Sequence, residues 1–433
     1  MADIEYLKSL QAVRERAQLV LKAAEQGALS HFHYNPARMP AVVEFVAGII
    51  GRDFGPDRFD KIPPHGRWQH FGIGQVPRVD RLWEEWQRAG CDKLEVTRRL
   101  VDLFFVSVLL DAGAGEAWSF AEPVPGTGRA YGRSEGIAIA TLYMMIAGVF
   151  SSQEGEAPAR VDGYGLEALD VSTFREGFQV TEENPILGES SRVSLLNRVG
   201  SSLLSLPEFF GKDGRPGQLV DYLLENRDES GRLDFDALWP VLQKLLLPAW
   251  PKNRTHVAGL PVGDSWPLQV LARVNAGKES QRDALDIQPF HKLTQWLAYS
   301  LTIPFIRVLG LEWKNMERAT GLPEYRNGGI FIDLGVLELK DEALKVGMES
   351  SKQTIPSFGA SSDTIVEWRA MTVALLDELL EMVNKHFAHQ NVRLSLPQML
   401  EAGTWKGGRE LAAKLRPQTK SSPILIEGDG TLF

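Results

Sequence analysis

The stretch SDTIVEWRAMTVALLDELLEMVNKHF at 362–387 decides the fold class. Ile365, Thr372, Leu375, Leu376, Leu379 and Val383 recur at helical spacing and mark the inward face of a long helix. Glu367 and Arg369 fall near its first turns, where an acid meets the positive end of the helix dipole. Arg369 can clamp a phosphate or carboxylate through two parallel N–H bonds, or pair with Glu338 or Asp377 at the surface.

The same period governs most of the chain. Residues 4–26 carry Leu7, Leu10, Val13, Ala17, Val20, Leu21 and Ala24 on one stripe with charges elsewhere. Further helices are expected at about 39–51, 76–89, 93–110, 134–149, 189–204, 216–226, 235–247, 266–275, 290–308, 396–402 and 406–415. Extended candidates are few: FIDLGVLEL at 331–339 and PILIEGDGTLF at 423–433. Turn-rich breaks at 151–165, 184–191 and 247–267 read as loops, and no repeat of solenoid period is present. The expectation is a mainly α protein, a compact multi-helix bundle with few short strands. An N-terminal helical subregion, 1–160, precedes a helical region, 161–433, that carries most site motifs, both within one compact body.

Composition bounds the function. The 433 residues are 44% hydrophobic and 24% charged, enough for a large core. The longest apolar run, LVDLFFVSVLL at 100–110, is broken by Asp102 and falls short of the roughly 20 residues that cross a bilayer. The N-terminus mixes acids and bases without a secretory pattern, so the cytoplasm is the expected address. Cys91 is the single cysteine, which excludes an internal disulfide. A net charge of −9 opposes the phosphate attraction that nucleic-acid binding uses, although a few Arg and Lys in a cleft still suit a small anion.

Six clusters of charged and aromatic residues beside glycines punctuate the helices: GRWQHF at 66–71, GRSEG at 132–136, GDSW at 263–266, PFHKLTQWLAYS at 289–300, LPEYRNGGIFIDLGVL at 322–337 and VEWRA at 366–370. Such mixtures exceed what a core needs and point to one site assembled from distant segments. Asp111 ends the apolar helix 93–110, where a carboxylate meets the negative dipole end at a cost of about 0.3–1 kcal/mol; it calls for a cation, a donor-rich ligand or a raised pKa. Asp333 lies among Phe331, Ile332, Leu334 and Val336, after glycines that permit close backbone approach or positive φ, so burial demands a partner. A helix beginning near Asp283 sets His291, Gln295 and Tyr299 at steps of four, with Lys292 on the flank and Leu293, Trp296, Leu297 and Leu301 on the apolar side. Arg67 with Trp68 and His70, and Arg133 with Glu135, offer anion-binding or ion-pair alternatives. GTGRAYG at 126–132 lacks the Lys-Ser/Thr ending of a P-loop, and the pairs His31/His33 and His386/His389 lack a third ligand, which makes them surface histidines.

Taken together, PFHKLTQWLAYSL, LPEYRNGGIFIDLGVL, VEWRAMTVALLDEL, EAGTWKGGRELAAKLRP and EGDGTLF resemble the uracil catabolism protein 4 family of fungi and bacteria. GRWQHF, SVLLDAGAG, GRSEG, GFQV and NPILG follow in matching order, so the resemblance spans nearly the whole chain. It implies a role after opening of the pyrimidine ring, on a ribosylurea-type intermediate from which urea is released. VEWRAMTVALLDEL is also similar to the late helix of queuosine-nucleotide salvage hydrolases, whose helical fold resembles DNA glycosylases. Both likenesses imply cleavage of an N-glycosidic bond. GDSWPL departs from the family's GDxWxH pattern, with Leu268 in place of the histidine.

The resemblance implies site roles. Asp333 is the expected carboxylate that stabilises an oxocarbenium-like transition state and activates water, and Asp111 or Glu367 the second acid or the acceptor for urea N–H groups. Arg67, Lys292, Arg326 and Arg369 are the phosphate candidates; Trp68, Trp296 and Tyr299 wall the pocket. His70, Asp264, His291, Gln295, Tyr325 and Asn327 complete the expected substrate contacts. The expected partner is a small ribosyl or ribosyl-phosphate molecule, with no cofactor, metal, nucleic acid or membrane; the oligomeric state is left open. Two rival readings are a metal-assisted amidohydrolase using His70, His291 and acids, and a non-catalytic binding protein.

Overall fold

The 25-residue helix Asp363–Phe387 spans about 37 Å and starts at Ser362, whose hydroxyl accepts the Ile365 N–H. Every residue from Thr364 to Leu376 is buried, so its first half is interior on all sides. The stripe read from the sequence marks the second half only. In the first half even Glu367 and Arg369 are enclosed, because their charges have internal partners. The computed structural model describes residues 2–111, 113–115, 117–124, 126–153, 159–251, 254–277, 284–351 and 353–428.

The protein is mainly α. Among the described residues the strands pair only as two-stranded ribbons of two or three residues each. The chain groups into two compact units built from separated segments: Met1–His65, Lys252–Gln295 and Glu317–Gly428 form the first, Gly66–Pro251 and Trp296–Met316 belong to the second. Residue 160 lies inside the second unit rather than at an edge. No helix among the described residues is long and apolar enough to cross a membrane.

Within the first unit, the N-terminal stripe is split at Ser9, which caps helix Leu10–Glu25 by accepting from Ala12. The FIDLGVLEL segment is half helix. Glu324 caps helix Tyr325–Asp333, and only Leu337–Leu339 is extended, pairing antiparallel with Phe32–Tyr34. The two glycines of NGG lower helix propensity by about 1 kcal/mol each, which hid this helix from the periodicity. Gly328 has negative φ and serves close approach: a Cβ there would stand 2.6 Å from Thr372 Oγ1 and 2.8 Å from Trp368 Nε1. Leu425–Glu427 pairs in parallel with Ser357–Gly359, while 429–433 and Asp283 lie outside the described residues. Helix Lys292–Leu309 begins later than expected, because Ile287–Pro289 is a strand paired with Ser265–Pro267. It runs through the division between the segments assigned to the two units.

The second unit is built around helix Lys93–Leu109, buried without interruption from Leu100 onward. Asp102, fully buried within it, accepts from Arg215 Nε at 2.8 Å and from the Gly217 N–H at 2.6 Å, while Arg215 also holds Glu95. The charge that interrupts the apolar run is therefore answered inside the core, as burial requires.

Candidate functional site

In the first unit the GDSW and PFHK segments fold around one carboxylate. Asp264 Oδ1 and Oδ2 accept from Arg369 Nη1 and Nη2 at 2.9 and 2.8 Å, a two-pronged pair in which both side chains are enclosed. Oδ1 also accepts from Trp266 Nε1, and Oδ2 from the Lys292 N–H at 3.0 Å; the Asp264 carbonyl takes the Phe290 and His291 amides. The Arg369 guanidinium lies 4.0 Å over the Phe290 ring, and its Nε reaches the Pro323 carbonyl at 3.4 Å. Burial works against the charge of Asp264, yet Arg369 and the surrounding N–H donors hold its carboxyl well below the usual carboxylate range. The surface partners considered for Arg369 are thereby corrected: its partner is the buried Asp264, and Asp377 is taken by Arg14.

His291 takes a left-handed backbone, φ +49°, and its Nε2 donates to the Leu7 carbonyl at 2.7 Å. Burial pushes its imidazole down from the ordinary value, against the pull of that carbonyl and of Asp264. Gln295 is similarly engaged: Nε2 donates to the Phe290 carbonyl and to Thr320, and Oε1 accepts the Thr320 N–H. His291, Gln295 and the Lys292 amide thus fix the turn that carries Asp264.

Helix Tyr325–Asp333 holds a second arrangement. Trp368 Nε1 donates to the Gly328 carbonyl at 3.1 Å, pinning it to helix Asp363–Phe387. Arg326 is 7% exposed, with its guanidinium 5.2 Å from the Tyr325 ring centre and 5.1 Å from that of Trp405. Arg409 stands over the same indole at 4.9 Å. Asn327 Oδ1 accepts from Thr404 and its Nδ2 donates to the Leu322 carbonyl. Trp405 ends a π-helix, Leu400–Trp405, that also supplies Glu401, bonded at 2.6 Å to Nδ1 of the buried His65. The His65 and Trp405 rings are 6.0 Å apart. π-Turns cost helix stability and gather at functional sites.

Asp333 ends its helix seven residues beyond Arg326 on the same face, about 10 Å along the axis. Arg416 Nη1 and Nη2 donate to its two oxygens at 2.8 and 2.6 Å, with the side chains 6% and 16% exposed. Glu367 is engaged by main chain: Oε1 accepts the His31 and Phe32 amides and Oε2 the Ser30 amide. Burial raises its pKa, and these donors oppose the rise. Its oxygens fasten the strand Phe32–Tyr34 to the long helix.

The second unit gathers the GRWQHF residues. Arg67 is fully buried; its Nη1 lies 2.7 Å from Asp111 Oδ2, its Nε donates to Ser107, and its amide to Ser300. Arg192 donates to the Leu110 and Gly113 carbonyls, so the negative end of helix Lys93–Leu109 meets two cations. Trp68 packs edge-on against Phe104 and carries Arg307 over its face at 4.2 Å, while His70 meets the buried Trp296 edge-on at 5.7 Å. Tyr299 is buried on the same helix as Trp296.

The predicted residues therefore fall into separate groups: Asp264, His291, Lys292, Gln295 and Arg369; Tyr325, Arg326 and Asn327, with Asp333 at the far end of their helix; Glu367; and, in the second unit, Arg67, Trp68, His70, Asp111, Trp296 and Tyr299. Sequence reading missed His65, Glu401, Trp405 and Arg409. EAGTWKGGRE, with a Trp and an Arg flanking two mid-helix glycines, carried the available signal. Among the described residues no three His, Cys, Asp or Glu side chains are grouped to hold a metal.

Fold and site define a mainly helical protein in which the enclosed carboxylates of Asp102, Asp264, Asp333 and Glu367 are answered by an arginine or by main-chain amides. The chain belongs to the family described as "Protein of unknown function (DUF1688)", whose model matches residues 6–433. It is 47% identical over 428 residues to "Protein urg3" of Schizosaccharomyces pombe, covering 99% of this chain and 98% of that protein. It is 43% identical over 443 residues to "Uracil catabolism protein 4" of Lachancea kluyveri, covering 99% of each.

Proposed function

We propose that the protein acts in uracil catabolism and hydrolyses the N-glycosidic bond of a ribosylurea, releasing urea. The observation that carries the pathway is the full-length similarity to a relative named for uracil catabolism. The reaction class rests on chemistry. In the reaction a water oxygen bonds to the anomeric carbon and sheds a proton, the carbon–nitrogen bond breaks with its electron pair leaving on nitrogen, and a proton delivered to that nitrogen gives neutral urea, so that the water ends as the sugar's hydroxyl and a urea N–H. The transition state is oxocarbenium-like and is stabilised by a fixed negative charge.

Asp333 suits that role. Arg416 sets a positive charge against both carboxylate oxygens and fixes the plane of the group, and the carboxylate retains slight exposure. Its contribution in this reading is the electrostatic stabilisation of the positive charge that develops on the sugar. Asp111 pairs with Arg67 in the second unit and the Glu367 oxygens accept the Ser30, His31 and Phe32 amides, so neither is assigned as the proton donor. The test is product identification with purified protein and ribosylurea, with and without a 5′-phosphate. Urea and the free sugar in equal amounts support the reading. Ammonia and carbon dioxide from attack at the ureido carbonyl, or no turnover, overturn it.

A further inference from the structure

We propose that Arg38 is the contact for a phosphate monoester beside Asp333, so that the ribosylurea is taken as its 5′-phosphate. The identity of the sugar rests on the function proposed above; the anion contact does not. Arg38 immediately precedes helix Met39–Phe54, and its side chain lies along the turn that follows Asp333. A Cβ on Gly335 would stand 3.9 Å from both Cγ and Nε of Arg38. Gly335 is two residues beyond Asp333, so the two Cα atoms are at most about 7 Å apart. Arg38 is exposed and, among the described residues, its side chain makes no hydrogen bond or ion pair. Its guanidinium is therefore open to a ligand that reaches Asp333.

The fold puts the arginine there without using it. Phe32–Tyr34 pairs with Leu337–Leu339 and the Asn35 amide donates to the Val336 carbonyl at 2.8 Å, which lays the segment before Arg38 against the end of helix Tyr325–Asp333. Gly335, at φ +74°, turns the chain; its amide bonds to the Ile332 carbonyl and the Val336 amide to the Phe331 carbonyl. Main chain thus closes that helix, and Arg38 is not its cap. A cation at the start of helix Met39–Phe54, whose first turn carries no acid, also works against the dipole of that helix. Charge balance points the same way. Arg416 already answers Asp333, which leaves Arg38 as surplus positive charge in a chain of net charge −9. Lys420 adds to it: its amide closes on the Arg416 carbonyl at 2.7 Å, and its side chain is exposed with no ion pair among the described residues. A neutral sugar leaves that surplus unmet, whereas a phosphate dianion accepts paired N–H bonds from a guanidinium fork.

The test is calorimetric titration of the full chain with ribose 5-phosphate, inorganic phosphate and ribose, joined to steady-state urea release from ribosylurea and its 5′-phosphate. R38Q is expected to weaken ribose 5-phosphate by about 10- to 100-fold and to leave ribose unchanged, with R38K restoring part of the loss. K420Q is expected to weaken it by about 2- to 5-fold, as befits an exposed charge. Arg38 is exposed, so R38Q is expected to melt with wild type; if it melts early, R38K carries the test as a raised KM for the phosphorylated substrate. Wild-type affinity of folded R38Q for ribose 5-phosphate overturns the contact, as does equal affinity of wild type for ribose and ribose 5-phosphate. Equal KM values of wild type for the two ribosylureas overturn it while leaving the hydrolysis standing. Ribose 5-phosphate binding lost in R38Q, without urea from either compound, keeps the contact and removes the hydrolysis.

Discussion

Two aspartate–arginine pairs in the first unit look alike on paper and differ in what surrounds them. Asp264–Arg369 is 1% and 3% exposed, and its carboxylate also accepts from Trp266 and Lys292. Asp333–Arg416 is 6% and 16% exposed, and among the described residues Arg416 alone bonds to the Asp333 carboxylate. A pair whose lone pairs are all filled fixes a fold; a pair with acceptor capacity left over can still meet a substrate. The first is a clasp joining the GDSW turn to the long helix, and the second leaves part of its carboxylate exposed.

The largest effect follows at the closed pair. Asp264→Asn leaves the Arg369 charge enclosed without its counterion and should cost about 3–5 kcal/mol, measured by chemical denaturation. A cost below 1 kcal/mol would erase the distinction between the pairs. Asp333→Asn should cost less in stability, about 1–3 kcal/mol. Gly408→Ala should cost about 1–3 kcal/mol by overpacking against the Arg326 carbonyl, measured by chemical denaturation.

The smallest effect is a pH dependence. The folded-state pKa of His291 lies below its ordinary 6.5, so its contribution is complete above that pH. As pH falls below 6.5 the unfolded chain takes a proton that the folded one refuses, and stability declines by at most about 1.4 kcal/mol per unit. Asp264 adds a decline of the same sign below its ordinary 3.8. His291→Asn, which tolerates the left-handed backbone, should flatten the decline just below pH 6.5; a parallel decline in wild type and variant would contradict the assignment.

The helical character was legible because periodicity survives in isolated segments: the stripes from Leu10 to Ala24 and from Leu375 to Val383 need only local reading. The charged clusters were legible as unusual mixtures. What they bond to was not, since Arg369 finds Asp264 105 positions away and Asp333 finds Arg416 83 positions away. Helix Tyr325–Asp333 escaped because its glycines serve packing against neighbours that only the tertiary structure supplies. The π-turn and the His65–Glu401 pair left no periodic trace, so the indole at Trp405 was read as a family motif rather than as a surface for two arginines.

The most direct measurement is single-turnover urea release from ribosylurea 5′-phosphate by wild type and Asp333→Asn, each shown to be folded. Removing the fixed charge should slow wild-type cleavage by about 100-fold or more. Equal rates for the two proteins would contradict the claim that the open Asp333–Arg416 pair supplies the charge used in glycosidic cleavage.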